Sequence, residues 1–96
     1  VIRSFRDDTT ADLFRERHTR AARGIPHALW RIAQRKLKLL DAAARLDDLL
    51  VPSGNRLERP RGTQAGRYSI RVNDQYRVTF EWKGGHADEV RVEDYH

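Results

Sequence analysis

The last three residues, Asp94-Tyr95-His96, set a carboxylate, a phenol and an imidazole side by side, in a chain whose 19 basic residues are 16 arginines and only three lysines. Histidine is the side chain best suited to moving a proton near neutral pH, and a neighbouring carboxylate can fix its tautomer. Arginine grips phosphate through a planar fork, where lysine is a hydrated point charge. These are the parts RNA cleavage needs when the 2′-hydroxyl attacks the adjacent phosphorus: a counter-charge for the pentavalent phosphate, and proton transfer to and from the oxygens. Arg67, Arg71 and Arg77 alternate with apolar residues and so share one face of a strand pair. Tyr95 has the parity of that face. His96 has the opposite parity and must turn around the sheet end to reach it. The constellation fits a metal-independent ribonuclease, and it equally describes a plain RNA-binding module. GC-rich coding also enriches arginine.

Other chemistries are excluded more simply. His18, His27, His86 and His96 show no ligand spacing with a carboxylate, so neither a metal nor any other cofactor is expected. There is no cysteine, no P-loop, no GxGxxG and no nucleophile elbow. The lack of cysteine fits a reducing compartment, and a cytoplasmic location is expected. No apolar run is long enough to span a bilayer, and the opening residues run straight into Arg6-Asp7-Asp8, unlike a signal peptide.

The elements that carry these residues follow from periodicity. Residues 1–5 suit a first, edge-lying strand, and Asp7 and Asp8 then cap a helix expected to reach about residue 22. Leu13, Phe14, His18 and Ala21 or Ala22 would form its buried stripe. Gly24 ends that helix and Pro26 opens a second, over 26–44, the usual order of glycine after a helix and proline within its first turn. In the second helix Leu29, Ile32, Ala33, Leu37, Leu40 and Ala44 recur at threes and fours on one side. Arg31, Arg35, Lys38 and Arg45 lie opposite, either a solvated face or a stripe that binds RNA phosphate or a partner. A short turn at 47–50 precedes the break at Pro52-Ser53-Gly54. From there the period drops to two. Residues 55–59 suggest a weak strand, interrupted by Pro60 and Gly62. Tyr68, Ile70 and Val72 mark one strand, Tyr76, Val78, Phe80 and Trp82 the next, and Val90 and Val92 the last, with turns at Asn73-Asp74-Gln75 and Gly84-Gly85.

The expected architecture is α+β in a single domain over 1–96: two N-terminal helices on one face of a twisted, mainly antiparallel sheet, with the other face open and bearing Arg67, Arg71 and Arg77. At 96 residues the chain holds one modest core, so marginal stability without a partner is expected. Charge is uneven. Residues 1–50 carry 11 basic against 7 acidic side chains, 51–80 carry 6 against 2, and 81–96 carry 2 against 5. A net charge of +5 and a pI near 10.2 point to nucleic acid or an acidic protein as partner.

Four stretches together resemble HigB-type toxins, the plasmid maintenance killer family within the RelE superfamily. They are Ile2-Arg3-Ser4-Phe5, the Arg61-Gly62 step, the run from Arg67-Tyr68-Ser69-Ile70-Arg71 through Asn73-Asp74-Gln75-Tyr76-Arg77 to Phe80, and Asp94-Tyr95-His96. The resemblance covers essentially the whole chain. It implies a RelE-like fold and a ribosome-dependent endoribonuclease that cuts messenger RNA in the ribosomal A site without a metal. It also implies a HigA-type helix-turn-helix antitoxin as partner, in a complex that binds its own operator DNA mostly through the antitoxin. By the same resemblance Arg77 stabilises the transition-state phosphate, His96 transfers protons, Tyr95 places the substrate and Asp94 completes the functional terminus. Arg61 stands where several members carry lysine, keeping the charge but serving poorly as an acid or base. Arg67, Arg71 and Asn73 would contact RNA, as would Arg31, Arg35 and Lys38 if the helix stripe is functional. A member of this fold that occupies RNA or the ribosome without cutting, or that serves only as co-repressor beside a DNA-binding antitoxin, is the alternative.

Overall fold

The computed structural model describes residues 1–59 and 67–94. Helix α1 (Asp8–Phe14) and helix α2 (Trp30–Ala42) precede three strands, β1 (Arg67–Arg71), β2 (Tyr76–Lys83) and β3 (His86–Asp94), which pair antiparallel in the order β1-β2-β3. Leu13 of α1 and Ala33, Leu37 and Leu40 of α2 pack in one core with Ile70, Val78, Phe80, Val90 and Val92 of the sheet. The expected α+β layering, with both helices on one sheet face, is the one observed.

Helix α1 begins as its acids predict, with the Asp7 carboxylate accepting the Thr10 N–H at 2.8 Å. It ends at Phe14, well short of residue 22. Glu16 turns left-handed (φ 56°), and the Thr19 hydroxyl donates to Asp12 at 2.7 Å while accepting the Ala22 N–H at 3.1 Å. Those side-chain bonds give the backbone an alternative to further helix. His18, expected in the buried stripe, is therefore exposed on the connecting loop. The chain re-enters helix through a 3₁₀ turn, His27–Leu29, so α2 starts at Trp30 and not at Pro26. Ala33, Leu37 and Leu40 are fully buried as their spacing predicts. Ala44 and Arg45 fall beyond the helix and are exposed, while Arg31, Arg35 and Lys38 do form an outward stripe. The turn expected near 47–50 is a 3₁₀ helix, Leu46–Leu50, capped by the Asp48 carboxylate, which accepts the Ala44 and Arg45 N–H groups at 2.9 and 3.0 Å.

The first residues are not a strand but a parallel fringe on the β3 edge. Arg3 N–H donates to Ala87 O at 2.8 Å and Val90 N–H to Ser4 O at 3.1 Å, which covers an otherwise open edge. Gly84 (φ 56°) and Gly85 (φ 81°) make the β2–β3 turn, both central residues left-handed as a type I′ hairpin requires. In β3 the pairing slips: Thr79 faces Arg91 and Glu81 faces Asp88, leaving Glu89 and Val90 opposite Phe80. This bulge, with Glu89 at φ 53°, re-phases the strand so that Ala87, Val90 and Val92 are all buried.

The second sheet face is not open as expected. Glu58 exchanges two backbone hydrogen bonds with Ser69, at 2.9 and 3.1 Å, so the weak strand near 55–59 is a single bridge on the β1 edge. Ser69, Arg77 and Thr79 are buried, Arg77 against Glu58 and the Arg56 carbonyl and Thr79 beneath the Arg67 and Glu93 side chains. Among the described residues no helix is long and apolar enough to cross a membrane.

Candidate functional site

Arg77 is the centre of the covered face and is only 7% exposed. Its side chain lies across β1: Nε donates to Ser69 Oγ at 2.7 Å, Nη2 donates to the carbonyls of Arg56 at 2.5 Å and Ser69 at 3.3 Å, and Nη1 faces Glu58 at 3.5 Å. Sequence alternation places the guanidinium on this face correctly. What it cannot reveal is Arg56, a non-glycine residue in the left-handed region (φ 45°) that turns its carbonyl toward Arg77.

The Arg56 turn is itself held from α2. Lys36, buried, donates through Nζ to Asn55 Oδ1, and the Asn55 amide donates to Leu49 O at 3.2 Å and Val51 O at 3.3 Å. Burial, together with the positive charges of Arg35 and Arg71, holds the Lys36 ammonium below the usual lysine range. The sequence did carry a signal here, since Lys36 shares the helical face of Ala33 and Leu40, where a lysine needs a buried partner.

Arg67 and Arg71 are placed differently from Arg77. Arg67 crosses the sheet toward β3, donating through Nη2 to Thr79 Oγ1 at 2.8 Å and Glu89 O at 3.0 Å, with Nη1 3.7 Å from Glu81. Burial, then the charge of Arg6, lowers its pKa against the opposing pull of Glu93, Glu81 and Glu89. It stitches three strands together rather than projecting outward. Arg71, with a third of its side chain exposed, pairs with Asp74 at 2.5 Å, and this contact holds the Asp74 carboxyl below its ordinary range. The Asn73 carboxamide oxygen accepts the Gln75 and Tyr76 N–H groups at 2.9 and 2.7 Å, closing the β1–β2 turn. Gln75 in turn donates to Asp94 at 2.9 Å, and Asp94 pairs with Tyr76 at the end of β3. One end of the sheet thus gathers Arg71, Arg77, Gln75 and Asp94. Arg61, Tyr95 and His96 lie outside the described residues.

Chemically, this sheet end offers the partly exposed Arg71 guanidinium beside the buried one of Arg77, while the exposed Asp94 carboxylate, opposite Tyr76, has the parity of the other face. Among the described residues no group of three or more histidine, aspartate or glutamate side chains converges as a metal site would.

A family model described as the RelE-like toxin of the type II toxin–antitoxin system HigB matches residues 3–96. The chain belongs to the HigB-like toxins. Toxin HigB-1 of Vibrio cholerae is 48% identical over 63 residues, 66% of this chain and 66% of that protein's own length. An uncharacterized protein of Haemophilus influenzae is 30% identical over 89 residues, 93% of this chain and 86% of the other. Among solved structures, the YoeB-YefM complex from Staphylococcus aureus superposes with a TM-score of 0.59 at 14% identity, covering 100% of this chain and 98% of that one. That likeness establishes a shared fold. As a HigB-like chain, the protein is the toxin of a type II toxin–antitoxin system, and an antitoxin is its partner.

Proposed function

We propose that this HigB-like toxin is a ribosome-dependent endoribonuclease that cuts messenger RNA in the A site without a metal. The observation that carries the proposal is the Arg77 guanidinium, fixed across β1 by Ser69 and the Arg56 carbonyl at the sheet end that also holds Asp94. In the proposed reaction the 2′-oxygen bonds to phosphorus and the bond from phosphorus to the 5′-oxygen breaks. The 2′-hydroxyl proton leaves to a base and the 5′-oxygen gains a proton, giving a cyclic phosphate and a 5′-hydroxyl. The Arg77 guanidinium supplies the counter-charge once the phosphate replaces Glu58, its 3.5 Å neighbour at Nη1, and electrostatic contributions of this kind usually dominate.

His96 is assigned proton transfer, Tyr95 placement of the message, Asp94 the orientation of this terminus, and Arg61 charge without acid–base duty. Arg71 and the outward stripe Arg31, Arg35 and Lys38 are assigned RNA contacts. Arg67 and Asn73 assist by holding the sheet and its turn. The antitoxin is assigned to the HigA helix-turn-helix type, with operator DNA bound through it, and the toxin acts in the cytoplasm on ribosomes. Cleavage of a defined message with and without ribosomes, compared between the parent and Arg77→Gln, tests the assignment. A non-cutting RNA-binding member would arrest translation with the message intact.

A further inference from the structure

The connection between α1 and α2 builds a second site away from the sheet. Residues 15–31 carry five arginines, Arg15, Arg17, Arg20, Arg23 and Arg31, all exposed, against the single acid Glu16, which is already paired with Lys38 at 3.5 Å. Within this basic loop lies a cavity of about 340 Å³ lined by His18, Arg23, Ile25, Pro26, His27 and Trp30, in the size range of small-ligand pockets. Its walls are aromatic: the His18 and His27 rings lie 5.2 and 4.7 Å from the Trp30 ring. The indole is pinned by its Nε1–H, which donates to Ile25 O at 2.8 Å. The loop is tied down by the Thr19 bonds to Asp12 and Ala22, so the cavity is formed before anything enters it.

Planar rings, an apolar floor and a guanidinium, with no carboxylate among the described lining residues, match a nucleotide: the base against the imidazoles and floor, the phosphate on Arg23. A purely packing role would not need two exposed imidazoles around an open cavity. Arg31 and Arg35 continue from this loop along the exposed side of α2.

We propose that the His18–His27–Trp30 cavity binds one unstacked nucleotide of the messenger strand. The inference rests on the RNA-cleaving reading of the protein. The test follows the imidazole signals of His18 and His27 in the full chain by NMR, each assigned by substitution. The titrant is a single-stranded tetranucleotide with 2′-O-methyl groups, which lacks the attacking hydroxyl. Saturable shifts at both rings are expected in the parent, and binding read at His18 should weaken at least about tenfold in a folded Arg23→Ala/His27→Ala protein, in which KM for message should also rise with kcat unchanged. The proposal is overturned if the rings do not respond, if inorganic phosphate moves them equally, or if an acidic peptide binds and the oligonucleotide does not. It is also overturned if the double variant loses vacant ribosomes while its KM for message is unchanged. A parent that cuts message without ring shifts refutes the cavity alone, and one that shows the shifts but never cuts refutes the cleavage assignment alone.

Discussion

Arg77 Nη2 donates at 2.5 Å to the main-chain carbonyl of Arg56, joining the central strand to a turn that Lys36 and Asn55 fasten to α2. Asn55 is fully buried and bonded through both ends of its amide. Asn55→Ala leaves the Lys36 ammonium and two carbonyls without their partner and is expected to cost about 2–3 kcal/mol. Urea melts measure this. A loss within experimental error would mean that the turn is held by other contacts.

Arg77→Lys separates charge from geometry. Lysine keeps the positive charge but cannot serve Ser69, Arg56 and Glu58 with one planar group. Cleavage is expected to fall about 10²–10³-fold, the usual cost of removing a transition-state donor, in a protein whose circular dichroism stays that of the parent. Parental cleavage by folded Arg77→Lys would reduce the role of Arg77 to simple charge.

Acid should unfold the protein through specific carboxylates. Asp48 is held below its ordinary range by the Arg45 and Ala44 N–H groups, and Asp88 by its hydrogen bond from Arg3. Their folded pKa values lie below the unfolded ones, so their stabilising contributions are complete above the unfolded pKa and disappear as pH falls through the folded values. Melting temperature is expected to drop below about pH 4. The drop should be shallower in Asp48→Asn and Asp88→Asn, and an unchanged slope in both would contradict the assignment.

The hairpin glycines are needed for their backbone. Gly84→Ala and Gly85→Ala each place a Cβ on a left-handed residue, and at Gly85 that Cβ would also sit 3.4 Å from Ala44 O. Each substitution is expected to destabilise by about 1–2 kcal/mol, read from thermal or urea denaturation. A neutral effect at both would show that the turn relaxes freely.

Much of this was legible in the residues, for identifiable reasons. The apolar spacing of Ala33, Leu37 and Leu40 and the alternation around Ile70, Val78 and Phe80 report burial directly, and these residues form the core. The length of α1 was not legible, because Glu16 turns left-handed after it and Thr19 makes side-chain bonds to Asp12 and Ala22, neither of which a helical period records. The covering of Arg77 depends on Glu58 meeting Ser69, a contact between distant chain segments, and the bulge at Glu89 re-phases β3 against simple alternation. Arg67 kept the face expected of it but turned inward to Thr79 and Glu89, since a strand position specifies a side and not what the side chain meets there. Lys36 was missed, although its helical position beside Ala33 and Leu40 calls for a buried partner such as Asn55.

The central claim is tested most directly by mapping the ends of a defined messenger incubated with purified toxin, in the presence and absence of programmed ribosomes, with a chelator selective for transition metals throughout and magnesium kept at the level ribosomes need. The account predicts cuts at A-site positions only when ribosomes are present, undiminished by the chelator, and lost in Arg77→Gln and His96→Ala proteins that remain folded. Translational arrest with intact message, or equal cutting by both folded variants, would contradict it.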